Sequence, residues 1–194
     1  MKLSRWWQKK NRSYYLPEQK KDDISSEPVK KIVILGNPNV GKSVLFNNLT
    51  NSYVTVSNYP GTSVEVSTGF LEINGVKYEI MDTPGMYSLT PITEEERVGR
   101  KILLQKKPDI VLQVVDAKNL ERMLTFTLEL IEAGLPLILV VNIMDEAEKV
   151  GVKIDIALLE KLLGIPVVGT VSTVKKGLDT LKERIATYVP PKKP

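Results

Sequence analysis

Eight residues, Gly36-Asn37-Pro38-Asn39-Val40-Gly41-Lys42-Ser43, constrain this chain more than any other feature of it. They fit G-x-x-x-x-G-K-[ST], a loop whose glycines let successive backbone N–H groups turn toward phosphate oxygens. The context is the one such a loop needs. KIVILG before it reads as a buried strand, and SVLFNNLT after it reads as a helix starting at the loop. The helix amino terminus then faces the anion, with Val44 in its first turn. Lys42 is placed to reach the β- and γ-phosphates, and the Ser43 hydroxyl to reach magnesium.

The rest of the chain alternates in the same way. VEVSTGFLEI and VKYEIMD flank Asn74-Gly75, a hairpin turn. DIVLQVVD, PLILVVN and IPVVGTV read as buried strands, separated by amphipathic helices at EEERVGRKILLQ, LERMLTFTLELIEAG, ALLEKLLG and LDTLKERIATYV. Strands apolar on both faces and separated by helices predict an α/β fold. The expected sheet has six strands, mostly parallel, with one antiparallel edge strand from the hairpin and helices on both faces. It occupies residues 31–189, between an extension at 1–30 and a short tail at 190–194.

Composition removes whole classes of chemistry. There is no Cys and no His, which excludes disulfides, thiol nucleophiles, imidazole bases and the usual zinc ligand sets. A metal here must take oxygen ligands, as magnesium or an alkali cation does. No apolar run approaches the length needed to span a bilayer. The net charge of +4 is unevenly placed. Residues 1–31 hold 9 Lys/Arg and 4 Asp/Glu, whereas residues 32–194 hold 18 and 19. The body is therefore not a nucleic-acid binder by charge. In residues 1–15, Lys2, Arg5, Lys9, Lys10 and Arg12 interleave with Trp6, Trp7, Tyr14 and Tyr15. That mixture suits a membrane surface; the alternative is a solvated tether.

Four further segments supply candidate site residues. Asp82-Thr83-Pro84-Gly85 closes a strand, where Asp82 can hold a magnesium shell through water and the Gly85 N–H can sense a γ-phosphate. Asn142-Ile143-Met144-Asp145 closes another strand. A carboxylate at Asp145 can accept from guanine N1–H and N2–H₂, and adenine offers neither donor in that geometry. Val171, Ser172 and Thr173 lie in a loop placed to close over the guanine O6. The segment Asn58–Glu65 offers two adjacent hydroxyls, Thr62 and Ser63, either able to complete a magnesium shell.

Taken together, GNPNVGKSVLFNNLT, NYPGTSVEV, DTPGMYSLTP, VVDAKNLER and NIMDEAEKVG resemble the GTPase domain of FeoB-type ferrous-iron transport proteins, over roughly residues 31–189. NLER after VVDA, and an apolar residue within the NxxD motif, are closer to this family than to assembly GTPases. The resemblance implies a cytoplasmic GTP-binding and GTP-hydrolysing switch, working at the cytoplasmic face of the membrane with an iron-transport component. It implies GTP/GDP and Mg²⁺ as ligands, with Gly36 to Val44, Thr62, Ser63, Asp82, Gly85, Asn142, Met144, Asp145 and Val171 to Thr173 around the nucleotide. Lys42, Ser63 and Gly85 would carry the chemistry.

By position, Ser43, Ser63 and Asp82 match the magnesium residues, and Asn39 the asparagine that helps hold K⁺ in potassium-activated GTPases. Serine at 63 departs from the family's threonine. Met86 stands where Ras-like proteins carry a glutamine, and a thioether cannot orient water, so turnover is expected to be slow. Family members continue into a helical domain and a membrane region. Met1 and the extension favour a stand-alone relative over an excised fragment, and both stay open. Two other functions remain in view: an occupancy-signalling module with negligible turnover, and an RNA-associated assembly GTPase.

Overall fold

The computed structural model describes residues 29–50 and 52–190. The extension and the tail lie outside them, and with them the membrane-surface reading of residues 1–15. The strands are β1 (Lys30–Gly36), β2 (Ser52–Asn58), β3 (Glu65–Ile73), β4 (Val76–Asp82), β5 (Ile110–Asp116), β6 (Leu137–Asn142) and β7 (Val167–Gly169). They form one sheet in the order β2-β3-β4-β1-β5-β6-β7.

β4, β1, β5, β6 and β7 are mutually parallel. β3 is antiparallel to both of its neighbours. The fold class is the expected one, and the strand count is corrected from six to seven. The added strand, β2, reads SYVTVSN. Its residues from Val54 to Asn58 are exposed, so no burial pattern advertised it in the sequence. It is held by ladder bonds to β3 and displaces β3 from the edge.

The helices are α1 (Lys42–Leu49), α2 (Glu94–Lys106), α3 (Leu120–Glu132), α4 (Met144–Lys149), α5 (Ile156–Leu163) and α6 (Leu178–Ala186). Alternation along β1 sorts them. Ile32 and Ile34 face a core built with Leu45 and Phe46 of α1 and Leu181 and Ile185 of α6. Val33 and Leu35 face the other side, with Val98 and Ile102 of α2 and Phe126 and Leu130 of α3. α5 covers the β6–β7 end of that side through Leu159 and Leu163. Burying a core side chain of this size contributes about 1.5–3 kcal/mol. Both faces of the central strands are thus filled, and chemistry is left to the loops at their carboxyl ends.

Candidate nucleotide site

Every motif found in the sequence reaches that one edge. The loop after β1 wraps over the start of α1, with Asn39 at φ 62° and Gly41 at φ 87°. A side chain at Gly41 would run into the Asn142 amide as well as straining the backbone. The Lys42 ammonium is almost fully buried and donates to the Asn37 carbonyl at 2.9 Å. Burial pushes its pKa down, against the opposing pull of Asp82. The lysine is therefore a desolvated cation at the head of α1.

Beside it, the Ser43 hydroxyl donates to Asp82 Oδ2 at 2.8 Å. The second carboxylate oxygen, Oδ1, is buried with no partner. Burial raises the Asp82 pKa, and the Ser43 bond and Lys42 only partly offset this. Both residues line a cavity of about 570 Å³ with Pro38, Asn39, Ser63 and Gly85. An orphaned carboxylate oxygen beside hydroxyls is a donor set for a hard cation, so these residues fit magnesium. Among the described residues no three His, Cys, Asp or Glu form a metal cage. The ion would rest on hydroxyls, water and phosphate oxygens. At Gly85, a Cβ would stand 2.6 Å from Pro38 Cγ, so the second motif abuts the first loop.

Of the two adjacent hydroxyls, only Ser63 is brought to the cavity. Thr62 Oγ1 is occupied within its own turn, donating to the Tyr59 carbonyl at 2.9 Å and accepting from the Val64 N–H at 3.2 Å.

A second cleft, of about 150 Å³, adjoins the first and shares Asn39 with it. Gly41, Val44, Asn142, Asp145, Val171, Ser172 and Thr173 line it. Asn142 is the tie. Its amide donates to the Val40 carbonyl at 3.0 Å, and its Oδ1 accepts from Thr170 Oγ1, the Ser172 N–H and Ser172 Oγ at 2.9–3.0 Å. Asp145 is half-buried, and the cation nearest it is Lys149, 3.9 Å away. Lys118 pairs with Glu146 at the rim.

Two further placements differ from the sequence reading, and the position of Met86 is new. Met144 is not at the cleft; it packs in the core beside Gly169. Ile143 lines the cleft instead, at φ 63°, a rare conformation for a β-branched residue. Met86 is wholly buried against Gly99 of α2, while its N–H donates to the Gly36 carbonyl at 3.0 Å. It is a packing residue of the core beneath α2, away from the cavity that holds Lys42. Met86→Ala is expected to cost about 2–4 kcal/mol of stability in denaturant titrations and leave the hydrolysis rate per folded molecule within about threefold.

Glu96 was missed altogether. Its carboxylate accepts from the N–H groups of Ile92, Thr93 and Tyr87 at 2.8–3.3 Å, fixing the segment that follows Gly85. Thr93-x-x-Glu96 is a capping box, a signal present in the sequence. These bonds, the Ile92 one foremost, hold the Glu96 pKa below its ordinary 4.5. Its contribution to stability is present above that value and is lost as pH falls through the lower folded value. Glu96→Gln should lower Tm by about 3–6 °C at pH 7, and the difference should shrink as the pH is taken progressively below 4.5, read by calorimetry across that series.

Residues 30–185, which hold all of these elements, match the family model of Ferrous iron transport protein B. The chain belongs to that family. The Fe(2+) transporter FeoB of Escherichia coli K12 is 41% identical over 166 residues, which is 82% of this chain and 22% of that one. The structure resembles the FeoB G-domain from Methanococcus jannaschii, with TM-score 0.72 and 41% identity over 82% of this chain and 97% of that one. It also resembles the cytosolic domain of the T. maritima FeoB iron transporter in its GMPPNP form, with TM-score 0.78 and 39% identity over 84% and 65%. The chain spans between 18% and 22% of the first curated FeoB relatives it matches. Its fold is that of a P-loop GTPase. Among the described residues no helix is long and apolar enough to cross a membrane.

Proposed function

We propose that this chain binds GTP with magnesium and hydrolyses it to GDP and phosphate, as a switch serving ferrous-iron uptake through a membrane iron-transport component. The observation that carries the reading is the joining of two cavities at Asn39. One holds buried Lys42 and the Ser43–Asp82 pair, and the other holds Asp145. A triphosphate needs the first set of groups and a guanine base the second, in adjoining cavities. The GMPPNP form of the T. maritima relative supports it, as do the Fe(2+) transporter names of the curated relatives.

Each residue then has a task. Lys42 and the loop N–H groups neutralise the β- and γ-oxygens, and the Gly85 N–H registers the γ-phosphate. Ser43, Ser63 and Asp82 are the residues to hold magnesium, which when bound spreads the charge developing on the bridging oxygen. Asp145 selects guanine by its two donors. The water-positioning glutamine of related enzymes has no counterpart, because Met86 faces the core. That observation also supports the second reading, in which occupancy alone carries the signal and turnover is negligible.

Steady-state hydrolysis with GTP and ATP separates the two, since measurable GTP turnover removes the occupancy reading. Run at equal ionic strength in sodium and in potassium, it also tests Asn39, whose exposed amide stands at the lip of both cavities. The wild type is expected to be faster in potassium, and Asn39→Ala equally slow in both salts with nucleotide affinity kept. A variant that loses affinity, with no salt effect in the wild type, would leave Asn39 a brace for the loop and remove the potassium site.

A further inference from the structure

We propose that, given the magnesium–GTP reading above on which this rests, Thr62 is a positioning residue. Its hydroxyl braces the connection between β2 and β3 so that Ser63 is presented to the cavity that holds Lys42 and Asp82.

The connection starts with a turn written into its own residues. Tyr59-Pro60-Gly61-Thr62 carries proline at the second position and glycine at the third, the pattern of a type II turn. Gly61 has φ 78°, the left-handed value that such a turn demands of its third residue. The Thr62 N–H closes it, donating to the Tyr59 carbonyl at 3.0 Å. A Cβ at Gly61 would meet nothing within 4 Å, so backbone conformation and not crowding requires the glycine.

A turn that ends at Thr62 does not by itself determine where Ser63 stands. The Thr62 hydroxyl supplies the missing constraint. It donates to the Tyr59 carbonyl at 2.9 Å and accepts from the Val64 N–H at 3.2 Å. One oxygen thus ties the turn before Ser63 to the backbone after it.

Both ends of this bridge are anchored in the fold. The Tyr59 N–H donates to the Val64 carbonyl at 2.8 Å, one step beyond the pairing of Asn58 with Glu65. Val64 is buried, and Tyr59 packs against the same core, which includes Val66 and Ile102 of α2. The Tyr59 hydroxyl also donates to Gln105, in the last turn of α2, at 2.7 Å. Between these two feet Ser63 is exposed, and it lines the cavity with Lys42, Ser43 and Asp82. The neighbouring hydroxyls therefore have different tasks. Thr62 commits its own to the backbone, and Ser63 offers its own to the ion. A group that orients a metal ligand typically governs affinity about tenfold or more without touching the metal.

Calorimetric titration of the full chain with GMPPNP, in magnesium and in EDTA, tests this beside thermal melts of the same preparations. The ratio of the two affinities reads what the ion contributes. Thr62→Val keeps the branched shape and removes the hydroxyl, and should cut that ratio about tenfold. Thr62→Ser keeps the hydroxyl and should stay within about twofold of the wild type. Ser63→Ala should cut the ratio at least as far as Thr62→Val does. Adding Thr62→Val to Ser63→Ala should then change it no further, because the brace acts through Ser63. A threonine that serves only the hairpin would lower the melting temperature, or both affinities together, and leave the ratio alone; that result would overturn the proposal. A further loss in the double variant would overturn it as well. A wild type that binds equally in magnesium and EDTA would remove the magnesium reading itself, and this role with it. A ratio lost in Ser63→Ala but kept in Thr62→Val would remove the role of Thr62 alone.

Discussion

Replacing Asp145 by asparagine is expected to weaken GTP binding by about 2–4 kcal/mol, some thirtyfold to a thousandfold, while xanthosine triphosphate gains. The carboxylate stands half-buried at the cleft, and among the described residues its charged partner is Lys149 at 3.9 Å. It is thus free to accept two hydrogen bonds from a base. An amide there offers one acceptor and one donor, and the donor faces the guanine amino group. Xanthine presents an oxygen at the same place, so mispairing turns into pairing. Calorimetric titration with both nucleotides measures the exchange. Unchanged GTP affinity would take base recognition away from this residue.

Lys42→Ala should produce the largest loss of all: nucleotide binding weaker by about a hundredfold or more, and no measurable turnover. The fold should survive it. The ammonium is bonded to the Asn37 carbonyl, and its burial disfavours the charged form. Removing it relieves a desolvated cation but withdraws the charge beside buried Asp82, so the contributions oppose and the melting temperature without nucleotide should change little. Thermal melts beside binding isotherms separate the two effects. Normal hydrolysis by a well-folded variant would mean that this loop does not hold the phosphates.

How legible this molecule was in its sequence varied with the physics of each part. β1, β5 and β6 were plain, because strands buried on both faces admit little but Val, Ile and Leu. The phosphate loop was plain because few other chemistries need glycines and a lysine at that spacing. β2 was not, since an exposed strand is specified by its neighbour's open edge rather than by its own side chains. The exchange of Ile143 for Met144 turned on one residue's backbone: a left-handed φ at Ile143 sends its side chain to the cleft and the next one into the core. Composition cannot reveal that. The burial of Met86 beneath α2 depends on Gly99, thirteen positions away, which no local pattern around Met86 signals. Glu96 was readable from its capping box and was passed over.

The bonds around Asn142 have a consequence for rates. With one amide holding the Val40 carbonyl, Thr170 and Ser172, the cleft beside Asp145 owes its shape to bonds within the protein itself. The ordering of these loops is completed during folding and is not charged again at each encounter. Guanine and its analogues should then enter at similar speeds, and selection among them should be expressed in how long each one stays.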